Sequence, residues 1–293
     1  MHQQILPEVI QMILRNIAAK TFLYAFLIII AILMIYPFIW AITSSFKTNS
    51  QMFNGSVFDL IPRPFHFDNY VRAWTLLPYH RFLLNSLFIC LIVPTTAIFI
   101  SSLAAYSFAR LRFKGRDIIF IALLGVMMIP GHITLIPNYV LMRMFGWINE
   151  YKAIIIPSIF QASMVFNMFF MRQFFLSIPK DLDEAGIIDG CSRFGVWWKI
   201  IMPNARPAIA TIAIMSFVSD WNMFLWPLIV MNDYLKMPIQ VGVSYFKANA
   251  MANGDWGVMM AATTMAIVPL IIMFLLVQKI FIKSMLNSGL GGR

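Results

Sequence analysis

The stretch Asp181–Pro207, DLDEAGIIDGCSRFGVWWKIIMPNARP, is the longest polar segment of a chain that is otherwise mostly membrane-apolar. It carries the acids Asp181, Asp183, Glu184 and Asp189 and the bases Arg193, Lys199 and Arg206, with Lys180 just ahead of it. Pro179 suits the first turn of a helix, where its missing N–H leaves no bond unmade. Asp181, Asp183 and Glu184 then lie near the positive end of the helix dipole. Gly190 predicts a left-handed stop. Ser192 predicts the N-cap of a second helix running to about Ile201, and Pro203 predicts its end. The segment therefore reads as a helix–glycine–helix hairpin, residues 177–207, with apolar spans on both sides. A polar hairpin anchored in this way is placed to touch a partner in water.

Outward from the hairpin, composition decides the class. Of 293 residues, 60% are hydrophobic and 12% charged, with a mean hydropathy of +0.79. A soluble domain is about 25% charged. The chain reads as an all-α membrane protein. A span needs about 20 apolar residues, and six candidates stand out: about Phe22 to Thr43, Leu84 to Phe108, Ile118 to Val140, Ala153 to Phe170, Ala208 to Val230 and Met259 to Ile282. Pro130-Gly131-His132 interrupts the third. No Pro/Gly/Ser linker or composition shift divides the chain, so residues 1–293 read as one transmembrane domain. The run after Lys20 is too long for a signal-peptide core and reads as a retained first span.

The net charge of +10 does not predict nucleic-acid binding, because the bases flank apolar spans. Six spans put both termini on one side with Arg15, Lys20, Arg172, Lys180, Lys279, Lys283 and the short loop Arg110-Leu-Arg-Phe-Lys-Gly-Arg116. The positive-inside rule makes that side, and the hairpin, cytoplasmic. The loops Lys47 to Phe82 and Asn232 to Gly257 then lie outside. Trp40, Tyr79, Trp147, Tyr151 and Trp256 near span ends suit interfacial belts.

Within the hairpin, Glu184-Ala185-Gly186, three residues, Gly190, nine residues, then Ile200-Ile-Met202-Pro203 resembles the EAA loop of binding-protein-dependent ABC importer permeases. Gly186 stands where the pattern has Ala, and Met202 where it usually has Leu. Ala104 to Leu111, Met128-Ile129-Pro130, Ile136-Pro137, Gly146-Trp147-Ile148-Asn149 and Trp221 to Leu228 resemble further stretches of the carbohydrate branch. Gly289 to Arg293 resembles the tail of its maltose-type shorter permeases. The resemblance implies that the first short helix docks on a cytoplasmic ATPase. Asp181, Glu184, Ala185, Gly186, Asp189, Gly190 and Pro203 are then the coupling residues. Leu182, Ala185, Gly186 and Asp189 share a side on a helical wheel. That side is narrow and small, unlike the bulky stripe of a helix lying on a membrane. The implied partners are a homologous second permease, two ATP-binding subunits, an extracytoplasmic solute-binding protein, an oligosaccharide and the inner-membrane bilayer. ATP and Mg²⁺ belong to the ATPase partners. The chain has no Walker A motif, which makes it no enzyme, and its scattered histidines have no metal-ligand spacing.

Asp220 is the acid placed inside a span, and an intramembrane carboxylate is a functional candidate by default. With Trp221, Asn222 and Trp226 it offers rings and hydrogen-bonding groups of the kind a sugar pathway uses. A structural hydrogen bond is the other reading of Asp220, and both stand. In the family, the loop corresponding to Asn232–Gly257 reaches into the binding protein; Ala250, Met251, Asn253, Gly254 and Asp255 mark its tip here. A small excess of bases in the outer loops suits an acidic, alginate-like oligosaccharide. A secondary transporter or a non-transporting scaffold are the alternatives; the first needs ion-coupling residues and usually an internal repeat, and no clear repeat is present.

Overall fold

The computed structural model describes residues 2–56 and 59–290, with side chains placed for 17–56, 59–276 and 278. Every regular element among them is helical. In chain order these are α1 (His2–Ser44), α2 (Asn49–Phe53), α3 (Asp68–Leu76), α4 (Tyr79–Arg110), α5 (Arg116–Val126), α6 (Leu135–Met144), α7 (Tyr151–Ile159) and α8 (Ala162–Ser177). Then come α9 (Asp181–Ile188), α10 (Arg193–Val196), a π-helical turn Trp197–Ile201, α11 (Met202–Asn204), α12 (Arg206–Trp221), α13 (Leu225–Val230), a 3₁₀ turn Tyr234–Lys236, α14 (Ile239–Asn253) and α15 (Trp256–Leu290). The tail stretch Gly289 to Arg293 runs outside the described residues. So do the side chains of Arg15, Lys279, Lys283 and Arg293, on which part of the orientation rests.

Four segments are long and apolar enough to cross a bilayer: Ile17–Ser44, Tyr79–Arg110, Tyr151–Ser177 and Trp256–Leu276. They contain the expected first, second and fourth spans, and the sixth from Met259 as far as Leu276. Prolines inside α4, α7 and α15 do not end these helices, as membrane helices allow when neighbours re-satisfy the freed backbone groups. The expected third span is broken into α5 and α6 by turns through Pro130, Gly131 and His132. The expected fifth is also two helices. Asn222 ends α12 by turning its side chain back onto Val218 O at 2.8 Å, and Met223 N–H bonds Asp220 O at 3.2 Å.

At 32 residues, α4 is about 48 Å long at 1.5 Å per residue, and the packing is arranged along it. Around its Tyr79 end, one apolar cluster gathers Phe82, Ile154, Trp221, Phe246 and Val258. Around its Arg110 end, a second gathers Tyr106, Phe108, Met171, Phe175, Trp197 and Ile201. Burial of this apolar area, at about 25 cal/mol per Å², holds α8 and α12 against α4. The segment Ile17–Ser44 behaves differently: it has the highest mean hydropathy, 2.7, yet nothing in its most apolar window is buried. Its surface needs lipid or another subunit to cover it.

The segment 232–257, expected as a polar loop, is largely the helix α14. Ile239, Gly242, Phe246 and Ala250 recur at helical spacing and face inward, a stripe that the Ala- and Asn-rich composition hides. Gly242 lies flat against the Phe82 ring, which any Cβ there would enter. Polar groups of α4 pin the approach to α14. Asn85 Nδ2 donates to Leu235 O and Met237 O, both at 2.9 Å, while Ser86 Oγ accepts Ile239 N–H at 2.8 Å. Tyr151 donates its hydroxyl to Asn85 Oδ1 at 2.7 Å, and Tyr79 donates to Ala262 O at 2.8 Å from a fully buried position. Tyr79 is therefore packed inside rather than set in an interfacial belt.

Candidate functional site: the 177–207 hairpin and the α12–α14 end

Both halves of the hairpin form where expected, with two local differences, at Pro179 and at Pro203. Pro179 lies outside α9, ahead of Lys180, the N-cap. Gly190 takes φ +83°. Its N–H bonds Ile187 O at 3.0 Å, and Cys191 N–H bonds Gly186 O at 2.9 Å. Those are the paired bonds of a Schellman stop. Ser192 caps α10 through its hydroxyl, which accepts Gly195 N–H at 3.1 Å. Pro203 does not end the second helix. Met202 N–H reaches back to Trp197 O, and the widened turn lets the helix run through the proline. Asn204 then donates its side chain to Ile200 O at 2.8 Å. The axis bends by 79° between Arg193–Asn204 and Arg206–Trp221.

The helical wheel of α9 is turned from the expected one. Asp183 and Gly186 face inward, and Leu182, Glu184, Ala185 and Asp189 face outward. Gly186 faces the hairpin's own second half, where a Cβ would run into the end methyl of Ile200 and touch Val196 Cγ2 at 3.4 Å. Two short helices can lie this close only with a small residue at the crossing. The outward face is also more apolar than expected: Ile188 is 85% exposed, with Phe194 and Trp198 exposed nearby.

Asp183 supplies a contact that the sequence reading missed. Its Oδ2 lies 3.0 Å from Arg110 Nε, with both side chains nearly buried. Arg110 also donates Nη2–H to Ile178 O at 2.7 Å. Burial pushes the Asp183 carboxyl above the usual range, while the Arg110 and Arg193 charges pull it down. Trp197, fully buried, meets Phe99 of α4 edge-on at 5.6 Å. The hairpin is thus fixed to α4 by an ion pair and a ring contact.

At the other end, the four span residues separate. Trp221 is buried, stacks on Phe217 at 5.7 Å and donates its indole N–H to Ala266 O at 3.1 Å. Trp226 donates its own to Ala153 O at 2.7 Å. Both indoles are occupied in joining helices. Asn222 is exposed and accepts from Gln240 Nε2 of α14 at 3.3 Å. Asp220 is half-buried, and no hydrogen bond or ion pair reaches its carboxylate among the described residues. Of the tip residues, Ala250 is fully buried on the inner face of α14 and is no surface contact in this chain. Met251 and Asn253 are exposed, Gly254 ends the helix, and Asp255 pairs with Arg72 at 2.7 Å.

Asn149, quoted within Gly146–Asn149, proves to be a hub. It holds φ +66°, its N–H donates to Val230 O at 2.8 Å, and its Oδ1 accepts the N–H groups of Asn232 and Asp233 at 3.1 and 3.0 Å. The Gly-Trp-Ile-Asn spacing was the signal; its purpose needed the fold.

The family described as binding-protein-dependent transport system inner membrane component matches residues 97–287. The trehalose/maltose transport system permease protein MalG of Thermococcus litoralis is 35% identical over 270 residues, 90% of this chain and 94% of that protein. The polygalacturonan/rhamnogalacturonan transport system permease protein YtcP of Bacillus subtilis is 30% identical over 292 residues, 95% of this chain and 100% of that one. A chain in the crystal structure of a bacterial ABC transporter involved in import of the acidic polysaccharide alginate superposes with a TM-score of 0.77 at 26% identity, covering 87% of this chain and 93% of that one.

Proposed function

Given that this chain belongs to the family of binding-protein-dependent transport system inner membrane components, we propose that it is the permease subunit through which an ATP-driven importer moves an oligosaccharide. The hairpin 177–207 faces the cytoplasm and docks on ATPase subunits, which supply the ATP and Mg²⁺ chemistry. Both termini then lie in the cytoplasm, residues 1–293 act as one transmembrane domain with six spans, and α14 lies outside, toward a solute-binding protein. A homologous second permease completes the pathway and covers part of α1.

One observation carries this reading: α9 is locked from behind and bare in front. Asp183 and Gly186 are committed to the chain's own packing, while Glu184, Ala185 and Ile188 are exposed. An anchored, preorganised surface loses little freedom on docking. Gly190 sets the turn, Pro203 sets the widened helix ahead of the bend, and Asp181, Glu184 and Asp189 supply the polar contacts. When ATP closes the ATPase pair, the hairpin moves with its ATPase, and the spans rock around a shared cavity.

In the pathway, Asp220 and Asn222 contact sugar hydroxyls, while Trp221 and Trp226 hold the wall. The resemblance to the alginate importer supports an acidic, alginate-like substrate, as does the likeness to YtcP, a polygalacturonan/rhamnogalacturonan permease, since those polymers also carry uronate carboxylates. The reading is tested in the reconstituted complex. Binding protein loaded with alginate oligosaccharide or with maltotriose is added, and ATP hydrolysis is followed. Stimulation by the oligouronate alone supports the acidic substrate, and stimulation by maltotriose alone removes it. Unchanged stimulation after Glu184→Ala and Gly190→Val removes the coupling role.

A further inference from the structure

Arg110 closes α4, and its side chain is 2% exposed. It reaches two different elements: Asp183 of α9, at 3.0 Å from Nε, and Ile178 O at the end of α8, at 2.7 Å from Nη2. The contact is a close approach of opposite charges rather than an aligned hydrogen bond, and Arg110 Nε and Nη1 and Asp183 Oδ1 have no hydrogen-bond partner among the described residues. Tyr106 sits one turn earlier on α4 with its hydroxyl buried, and Arg193 of the second hairpin helix acts on both Tyr106 and Asp183. Polar groups from four segments therefore converge where the hairpin meets the span.

For stability alone, such a pair is a poor choice. Desolvating two charges cancels most of their attraction, and a well-packed apolar pair often holds a fold equally well. What the charges add is a tie between elements: parting a buried guanidinium from its carboxylate leaves each charge uncompensated, which costs more than parting two apolar side chains. We propose that the Arg110–Asp183 ion pair is the joint through which movement of the hairpin reaches the membrane spans, with Arg110 as its positioning residue. Along α4 the movement travels to the Tyr79 end, where Tyr79 is bonded to α15. This inference rests on the reading of the hairpin as the ATPase-docking element.

The test uses the full complex in proteoliposomes. An exposed residue of α12, Ser219, is changed to Cys in a Cys191→Ser background, and its labelling by a membrane-impermeant maleimide is compared with and without ATP and vanadate. ATP hydrolysis is recorded in parallel. Asp183→Asn and Arg110→Met each break the pair. The double variant Arg110→Met/Asp183→Leu removes both charges and leaves no unpaired one. The expected result is hydrolysis within about two-fold of the parent in the double variant, with the ATP-dependent change in labelling reduced at least five-fold. A full ATP-dependent change in the double variant overturns the proposal, because apolar packing would then serve equally well. Docking is tested separately with Ile188→Asp. If the ATPase subunits still co-purify with that variant, the docking reading fails rather than the joint.

Discussion

Substituting Gly186 gives the sharpest test of the hairpin's internal packing. An alanine there places its Cβ into the end methyl of Ile200 and against Val196 Cγ2 at 3.4 Å. Overpacking of this kind costs about 1–3 kcal/mol. The obstacle is the far end of a flexible side chain, which puts the cost near the low end. Replacing glycine inside a helix also returns about 1 kcal/mol of propensity. Gly186→Ala is therefore expected to change hairpin stability by less than about 2 kcal/mol. Ile200→Val removes the obstructing methyl. Alone it leaves a small void and costs about 0.5–1.5 kcal/mol; combined with Gly186→Ala the two changes compensate. The affinity of the ATPase subunits for membranes carrying each of the four forms provides the cycle, with 1.4 kcal/mol reading as a tenfold change. A favourable interaction energy of about 1 kcal/mol is expected. Strict additivity would refute the close crossing of the two hairpin helices, and Gly186 would then be free to face the partner.

Two further substitutions probe the opposite end. Trp221→Phe leaves Ala266 O buried without its indole donor, at a cost of about 1–3 kcal/mol; thermal stability of the complex should fall while the KM for transported sugar stays put, and a raised KM at unchanged stability would make Trp221 a sugar contact. Asn149→Ala removes the acceptor of two backbone N–H groups and forces φ +66° on a residue that resists it. Limited proteolysis near Asn232 should speed up at least ten-fold in this variant and much less in Asn149→Asp, which keeps the acceptor; equal rates in both would show that the hub does not hold the loop.

Much of this architecture could be read from residue patterns. The apolar runs locate the four segments long and apolar enough to cross a bilayer, because crossing imposes length and hydropathy directly. The hairpin is readable because Ser192 and Gly190 are local devices whose bonds close within a few residues. What stayed hidden depends on distant partners. The inward turn of α9 is set by Ile200 and by Arg110, which lies far away in sequence. The helix α14 was obscured because its buried stripe is interrupted by small and polar residues. In span five, the four polar and aromatic residues look alike in sequence. They separate only when Ala266 O and Ala153 O are seen to occupy the two indoles and Val218 O and Gln240 the Asn222 amide, while no hydrogen bond or ion pair reaches the Asp220 carboxylate among the described residues.

The central claim is that the outward face of α9 meets an ATPase. A photo-crosslinking amino acid at Ile188, which is 85% exposed, tests it most directly in native membranes. The account predicts a covalent adduct with the ATP-binding subunit from position 188 and none from the buried position Val196. Crosslinking of position 188 to lipid alone would contradict it, and α9 would then be a helix resting on the membrane surface.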